Sequence, residues 1–189
     1  MSRIIKRCHW ALKDPTYIKY HDTEWGVPVY DDQKIFESLL LETFQAGLSW
    51  TTILTKRNNF HDAFDSFNYQ KIANYSNEKL EALKQDKGII RNRLKIHAAK
   101  KNAISFIEVQ EEFGTFSKYL WGFIGGKTIR NNFKNVSELP KNTLLSDEIS
   151  SDLKRRGFNF VGSTIIYAHM QAIGMVNDHI IKCFRHNEV

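Results

Sequence analysis

The sequence contains little cysteine, little proline and no long apolar run. Of its 189 residues, 2 are cysteine and 3 are proline. No apolar run is long enough to cross a membrane, and residues 1–10 lack the apolar stretch of a secretion signal. We therefore predict a cytoplasmic protein with no membrane partner, in a reducing compartment where a disulfide between the two cysteines would not persist.

Charge and composition favour a polyanionic partner. The 27 basic and 21 acidic side chains give a formal net charge of +6, which is typical of nucleic-acid-binding proteins, although many basic proteins bind no nucleic acid. Aromatic residues are frequent at 13%, with 4 tryptophans and 7 tyrosines. The length suits a single domain, residues 1–189, that is large enough to bury a core.

Apolar residues recur at helical spacing along the chain, and few segments alternate as strands do. We therefore predict an all-α fold with almost no strand. The clearest helix spans 31–46, where acidic residues come first and apolar residues follow at 35, 36, 39, 40 and 44. Asp14 and Pro15 are typical of another helix start. Capping and stop residues predict further helices at 49–64 (cap Ser49), 76–85 (cap Ser76), 90–112, 146–157 (cap Ser146, stop Gly157) and 163–174.

Both cysteines lie near a chain end, and each has a histidine at a spacing found among zinc ligands. Cys8 and His21 are separated by twelve residues, whereas His179 and Cys183 are four apart, so one helical turn could direct both at the same ion. The four residues form a Cys2His2 set for a structural zinc ion that would join the two ends. Each pair alone is more consistent with ordinary core or surface residues than with metal ligands.

Glu42 falls on the apolar face of the predicted helix 31–46. Ile35, Leu39, Glu42 and Ala46 follow at spacings of four, three and four residues, which places them on one side of the helix. An inward carboxylate costs free energy unless it has a partner or a function. The alternative is a carboxylate that lies at the edge of the stripe and reaches solvent.

Aromatic residues accompany this carboxylate. Gly47 ends the helix, so Trp50 and Glu42 lie on either side of one tight turn. Four more rings crowd the amino-terminal segment: Trp10, Tyr17, Tyr20 and Trp25. Rings around an inward acid in a basic protein predict a pocket that stacks a flat, electron-poor or cationic ring. The alternative is that these rings are part of the core.

A short turn at Lys87 and Gly88 joins two predicted helices, and basic residues follow it. The second helix would open with free amides after Gly88 and carry Arg91, Arg93 and Lys95, which suits a phosphate. The segment at about 76–100 therefore looks like a helix-hairpin-helix element that holds DNA without reading its sequence. An ordinary turn between two helices with a solvated basic face is the alternative.

Several long motifs together resemble the DNA-3-methyladenine glycosylase I family over nearly the whole chain. They are "RCHW", "DPTYIKYHDTEWGVP", "QAGLSW", "GIIRNRLKI", "RRGFNFVGSTIIYAHMQAIGMVNDH" and the final cysteine. The resemblance implies a helix-hairpin-helix glycosylase fold of two helical lobes. It also implies one structural zinc ion per chain, held by four residues that join the N- and C-terminal segments: Cys8, His21, His179 and Cys183.

The resemblance also implies roles for individual residues. Glu42 would accept hydrogen bonds from the excised base, with Tyr20 and Trp50 packed against that base, and these three would be the catalytic residues. Tyr17 and Trp25 would complete the pocket. Contacts to DNA would come from Gly47 and Leu48, which probe the gap in the duplex, and from Lys87, Gly88 and Arg91. Thr43 is larger than the family pattern suggests, and His169 is expected to be core.

The implied activity is hydrolysis of the N-glycosidic bond of 3-methyladenine in alkylated double-stranded DNA, by a monomer. Because N3-methylation leaves the base cationic, its departure needs no general acid. No lysine is evidently placed as a nucleophile, so we predict an abasic product without strand nicking. Two alternatives remain: a zinc-containing DNA-binding module without catalysis, and a glycosylase that prefers another lesion such as N3-methylguanine.

Overall fold

The computed structural model describes residues 5–189, and this part of the chain is almost entirely helical. Its nine α-helices are α1 (Pro15–Thr23), α2 (Asp32–Gln45), α3 (Trp50–Ala63), α4 (Tyr69–Ala73), α5 (Asn77–Gln85), α6 (Arg93–Phe113), α7 (Phe116–Gly122), α8 (Leu144–Arg155) and α9 (Ser163–Ala172). Two-residue strands, β1 (Ile129–Arg130) and β2 (Val176–Asn177), pair in parallel. None of these helices is long and apolar enough to cross a membrane. The predicted all-α class is confirmed.

Most predicted helix starts are confirmed by side-chain caps. The carboxylate of Asp14 accepts from the amide of Thr16, and Pro15 is the first residue of α1. Ser49 and Ser76 cap α3 and α5 by accepting from the amide three residues on. Each cap satisfies an amide that has no partner inside its helix.

Two predicted boundaries are wrong. Helix α6 starts at Arg93 rather than 90, because the side chain of Asn92 accepts from the Lys95 amide at 3.1 Å and acts as the cap. Helix α8 is capped by Thr143, and Ser146 is the third helical residue of a reciprocal capping box. The serine has the chemistry of a cap, but Thr143 offers the same chemistry three residues earlier.

Helix α2 lies between the two apolar clusters of the structure. The larger cluster contains fully buried phenylalanines from several helices, such as Phe44, Phe60 and Phe106. Helix α2 contacts α3, α6, α7 and α9 there. The smaller cluster includes Tyr20, Trp25 and both cysteines. The end of α2 therefore faces the aromatic residues near the N-terminus, and this junction holds the site.

Candidate functional site

An aromatic cleft of about 300 Å³ lies at the junction of α1, α2, α3 and α9. All five rings singled out in the sequence line it, together with Glu42: Trp10, Tyr17, Tyr20, Trp25 and Trp50. The ring centroids of Tyr20 and Trp50 are 5.5 Å apart, and Trp10 meets Trp25 edge-on at 4.9 Å. Because Trp10, Tyr17 and Trp50 are only half-buried, their faces remain available to a planar molecule. The rings are therefore a pocket lining as well as part of the core.

Glu42 is buried in this cleft without a partner. Its side chain is 3% exposed, and its Oε2 has no hydrogen bond to any described residue. Burial raises the pKa of Glu42 to about 8. The Nε1 of Trp50 is likewise buried and without a described partner. Buried polar groups are normally paired, so a free acceptor and a free donor in one cleft indicate a polar ligand.

The raised pKa of Glu42 makes a prediction about stability. The folded protein holds the proton up to about pH 8, whereas the unfolded chain releases it near the ordinary value of 4.5. The free energy of unfolding therefore falls as the pH rises between these values. Glu42→Gln removes this loss and should be several kcal/mol more stable than the parent above pH 8, at about 1.4 kcal/mol for each unit of pKa.

The measurement is the difference in Tm between the two proteins from pH 4 to 9. It should grow with pH and level off above about pH 8. A difference that is independent of pH would show that Glu42 keeps its ordinary pKa and reaches water.

The turn after α2 presents Leu48 to solvent. Gly47 has a φ of +80°, which favours glycine, and the amide of Leu48 donates to the carbonyl of Gln45 at 2.7 Å. Leu48 is 40% exposed. A leucine held outward on a tight turn beside an aromatic cleft could occupy space next to a bound ring.

The side chain of Lys95 holds this turn in place through two hydrogen bonds to its backbone. Its Nζ donates to the carbonyls of Phe44 and Ala46 at 2.9 and 2.6 Å, and the side chain is only 6% exposed. A cation at the carbonyl end of a helix is favourable, although burial lowers the pKa of this amine. The sequence placed Lys95 among the bases that face a phosphate, and this prediction is wrong because the amine lies inside the protein.

The turn between α5 and α6 lies where the sequence predicted it, but the hydrogen bonding of its glycine differs from the prediction. The amide of Gly88 is not free, because it donates to the carboxylate of Asp86 at 2.7 Å. The Gly88 carbonyl accepts from Lys56 and from Asn59 of α3. An added Cβ on Gly88 would lie 3.2 Å from the Asn59 Cβ, so glycine allows the close approach of this turn to α3. The side chains of Lys87, Arg91 and Arg93 are exposed.

Both cysteines meet the histidines beside α1. The candidate ligand atoms of Cys8, His21 and Cys183 all lie within 4.8 Å of one another. The rings of His21 and His179 are 4.8 Å apart, and the Nε2 of His179 is buried without a described partner. The sequence predicted a helical turn from His179 to Cys183, but this segment is not helical. Tertiary contacts bring the two residues together instead.

Hydrogen bonds orient both imidazole rings. The Nδ1 of His21 lies 2.7 Å from the carboxylate of Asp22, and the Nδ1 of His179 lies 3.0 Å from the Oδ1 of Asn177. Each Nδ1 therefore donates, so each Nε2 keeps a lone pair. Carboxylate or carbonyl support of this kind is typical of metal-binding histidines. Cys8, His21 and Cys183 thus bring together one nitrogen and two sulfur donors, the kinds of ligand that a zinc site uses.

A larger cavity of about 540 Å³ shares Tyr20 and Trp50 with the cleft. Arg57, one of the cations that line it, donates to Glu24 at 2.6 Å and to Glu37 at 2.8 Å. These charges satisfy one another, whereas the smaller cleft holds unpaired groups. The smaller cleft is therefore the better candidate site.

Sequence reasoning missed two glutamines of the cleft, Gln45 and Gln171. Gln45 is the last residue of α2, and Gln171 comes from α9, where its amide donates to the buried Asp178 at 2.7 Å. No local pattern marks either residue, because each reaches the cleft through the packing of α2 and α9. His169 was expected to be core, and it is buried with its Nδ1 3.1 Å from the Ser38 hydroxyl.

An aromatic cleft with an unpaired carboxylate and an outward leucine beside it is typical of proteins that bind a planar ring extruded from a nucleic acid. The family model for methyladenine glycosylases matches residues 10–186. The chain belongs to this family, whose members are DNA-repair hydrolases that act on N-glycosyl bonds, so the resemblance noted in the sequence is confirmed.

Individual proteins of this family are similar to the chain over almost their full length. DNA-3-methyladenine glycosylase 1 of Escherichia coli is 45% identical over 179 residues, which are 95% of this chain and 96% of that protein. DNA-3-methyladenine glycosylase of Haemophilus influenzae is 42% identical over 177 residues, or 94% and 96% of the two chains. A solved structure of the Staphylococcus aureus enzyme, which shows the basis of its 3-methyladenine recognition, is 32% identical with a TM-score of 0.91 and covers 94% of this chain and 95% of its own.

Proposed function

We propose that this protein excises 3-methyladenine from alkylated double-stranded DNA, hydrolysing the N-glycosidic bond and leaving an abasic site. The observation that carries the proposal is Glu42, a buried carboxylate without a described partner inside an aromatic cleft. The relatives named for this activity match nearly their full length.

The base would lie between aromatic rings with its edge toward Glu42. Tyr20 and Trp50 would pack against the base, and Tyr17 and Trp25 would close the cleft around it. The carboxylate of Glu42 would accept hydrogen bonds from the base and stabilise its positive charge. Because a cationic base favours the ionised carboxylate, binding would lower the raised pKa of Glu42 and expel its proton. Catalysis would then rest on base extrusion and electrostatics, with no general acid.

The same cleft supports hydrolysis without strand cleavage. Its described lining contains no lysine, and the buried Lys95 amine is engaged by two carbonyl groups. The described lining of the cleft thus offers no amine that could form a Schiff base with the sugar. The enzyme would be monofunctional.

DNA would be held at two places. Leu48, with Gly47 behind it, would fill the space that the extruded nucleotide leaves, and the exposed Lys87 and Arg91 at the hairpin of Gly88 would contact the phosphate backbone. This assigns residues 76–100 as the helix-hairpin-helix element of a two-lobed fold. The whole chain, residues 1–189, would act as one monomeric domain in the cytoplasm.

One structural zinc ion would be held by Cys8, His21, His179 and Cys183. The support is the buried, unpaired Nε2 of His179 beside the cluster of the other three. Four protein ligands leave no open position, so the ion would supply a cross-link rather than chemistry. It would hold α1, and with it Tyr17 and Tyr20, against the C-terminal segment.

The experiment that tests the activity is base release. DNA treated with a methylating agent is incubated with the protein, and the free bases are identified by chromatography. We expect release of 3-methyladenine, with abasic sites but no strand breaks on a denaturing gel before alkali treatment. Bound DNA without any released base would favour a binding module, and preferential release of 3-methylguanine would favour the other lesion.

A further inference from the structure

Phe160 is an exposed aromatic residue that the proposed function does not use. Its side chain is 37% exposed, whereas those of Phe158 and Val161 are buried. Its φ is +57°, in the left-handed region that residues other than glycine rarely adopt. The chain thus holds a large apolar ring at the surface in a strained conformation, and such strain is often found at functional sites.

Hydrogen bonds on both sides maintain this conformation. Asn102 of α6 accepts from the amide of Asn159 at 2.7 Å and donates to the carbonyl of Asn159 at 3.0 Å. On the other side, the hydroxyl of Ser150 in α8 donates to the carbonyl of Val161 at 2.6 Å. Phe160 is therefore fixed between two anchored neighbours, and its ring is presented at a defined place.

That place is next to the turn that carries Leu48. The ring centroid of Phe160 is 6.0 Å from the Nζ of Lys95, and the same amine is bonded to the carbonyls that end α2. Phe160 thus lies one side chain away from the turn and beside the first turn of α6. It is absent from the described lining of the cleft, so its ring is free to contact a part of the duplex other than the extruded base.

We infer that Phe160 stacks on the unpaired base of the undamaged strand, opposite the nucleotide that enters the cleft. This inference rests on the proposed function. The cleft takes the damaged nucleotide on one side of the turn, and Leu48 occupies the gap. The orphaned base has lost its partner, and an aromatic face on the far side of the gap can cover it. Such stacking tolerates any base, as an enzyme that meets lesions in every sequence context requires.

The test uses a duplex with a stable abasic analogue at the lesion position and 2-aminopurine opposite it, whose fluorescence falls when it is stacked. Phe160→Ala should weaken binding to this duplex about 10-fold, the effect of losing one aromatic stacking contact. The 2-aminopurine should fluoresce more strongly in that complex than in the parent complex. Phe160→Trp should restore both values. Affinity for free 3-methyladenine should not change, because the ring is outside the cleft.

Phe113→Ala is the matched control. Phe113 is 38% exposed but ends α6, about 27 Å along the helix from Lys95, so its loss should leave duplex binding and fluorescence unchanged. Phe160→Gly should keep a Tm close to that of the parent, since relief of the positive φ offsets the lost packing.

Parent-like duplex affinity and fluorescence in Phe160→Ala would overturn the inference, as would an equal loss in Phe113→Ala. A failure of the proposed function would be distinct: the parent protein would then release no 3-methyladenine from methylated DNA.

Discussion

Glu42→Gln is expected to lower the rate of 3-methyladenine release by about 100-fold or more while leaving affinity for duplex DNA unchanged. The amide keeps the shape of the carboxylate but carries no charge, so it cannot stabilise the positive charge that passes from the base to the sugar as the glycosidic bond breaks. It also offers one acceptor oxygen where the carboxylate offers two. The measurement is the single-turnover rate of base release from methylated DNA, together with the affinity for free 3-methyladenine.

Glu111→Gln is the control for this variant. Glu111 is exposed on α6, and α6 contributes no residue to the described lining of the cleft, so the same change there should alter neither rate nor affinity. Because Glu42→Gln should also gain stability above pH 8, an activity loss cannot be attributed to unfolding. A parent-like rate in Glu42→Gln would remove the carboxylate from the site.

Cys183→Ser is expected to abolish zinc binding and to lower the Tm by about 10 °C or more. Serine is a poor zinc ligand, and structural zinc sites contribute many kcal/mol to folding, where 1 kcal/mol corresponds to roughly 2–4 °C in a chain of this size. The measurements are metal content per chain and thermal unfolding, each with and without a chelator. The chelator should destabilise the parent and leave the variant unchanged.

Histidine variants test whether the zinc ion is bound by the cysteine–histidine cluster or by a histidine elsewhere in the chain. His179→Gln should lose zinc as Cys183→Ser does, although His179 is not among the three residues whose ligand atoms lie closest together. His61→Gln, on an exposed part of α3, should keep it. A full zinc load in Cys183→Ser would show that Cys183 is not a ligand.

Local signals in the sequence predicted most helices, because caps and periodic apolar residues act within one helix. They failed where distant contacts decide the structure. The four-residue spacing of His179 and Cys183 permits a helix, yet the amide of Ile181 donates to the carbonyl of Phe133 and the amide of Phe184 donates to the carbonyl of Lys6. These contacts fix an irregular segment that no local pattern could reveal.

In the candidate site too, positions set by local periodicity could be predicted, whereas positions set by distant contacts could not. The inward position of Glu42 could be predicted, since it follows from helical periodicity alone. The inward position of Lys95 could not, because its acceptors at the end of α2 are about fifty residues away in the chain. Gln171 was likewise unpredictable, since it enters the cleft only through the packing of α9.

The Lys95 link determines which partner must deform when the protein meets DNA. One amine joins the end of α2 to the start of α6, which opposes independent movement of the leucine turn and the α5–α6 turn. If both turns contact DNA as proposed, the protein would present them to the duplex at a nearly fixed separation. The bending and unstacking that admit the leucine would then fall on the DNA, whose deformability differs from one base step to the next. The deformability of the surrounding sequence would thus affect the rate of repair.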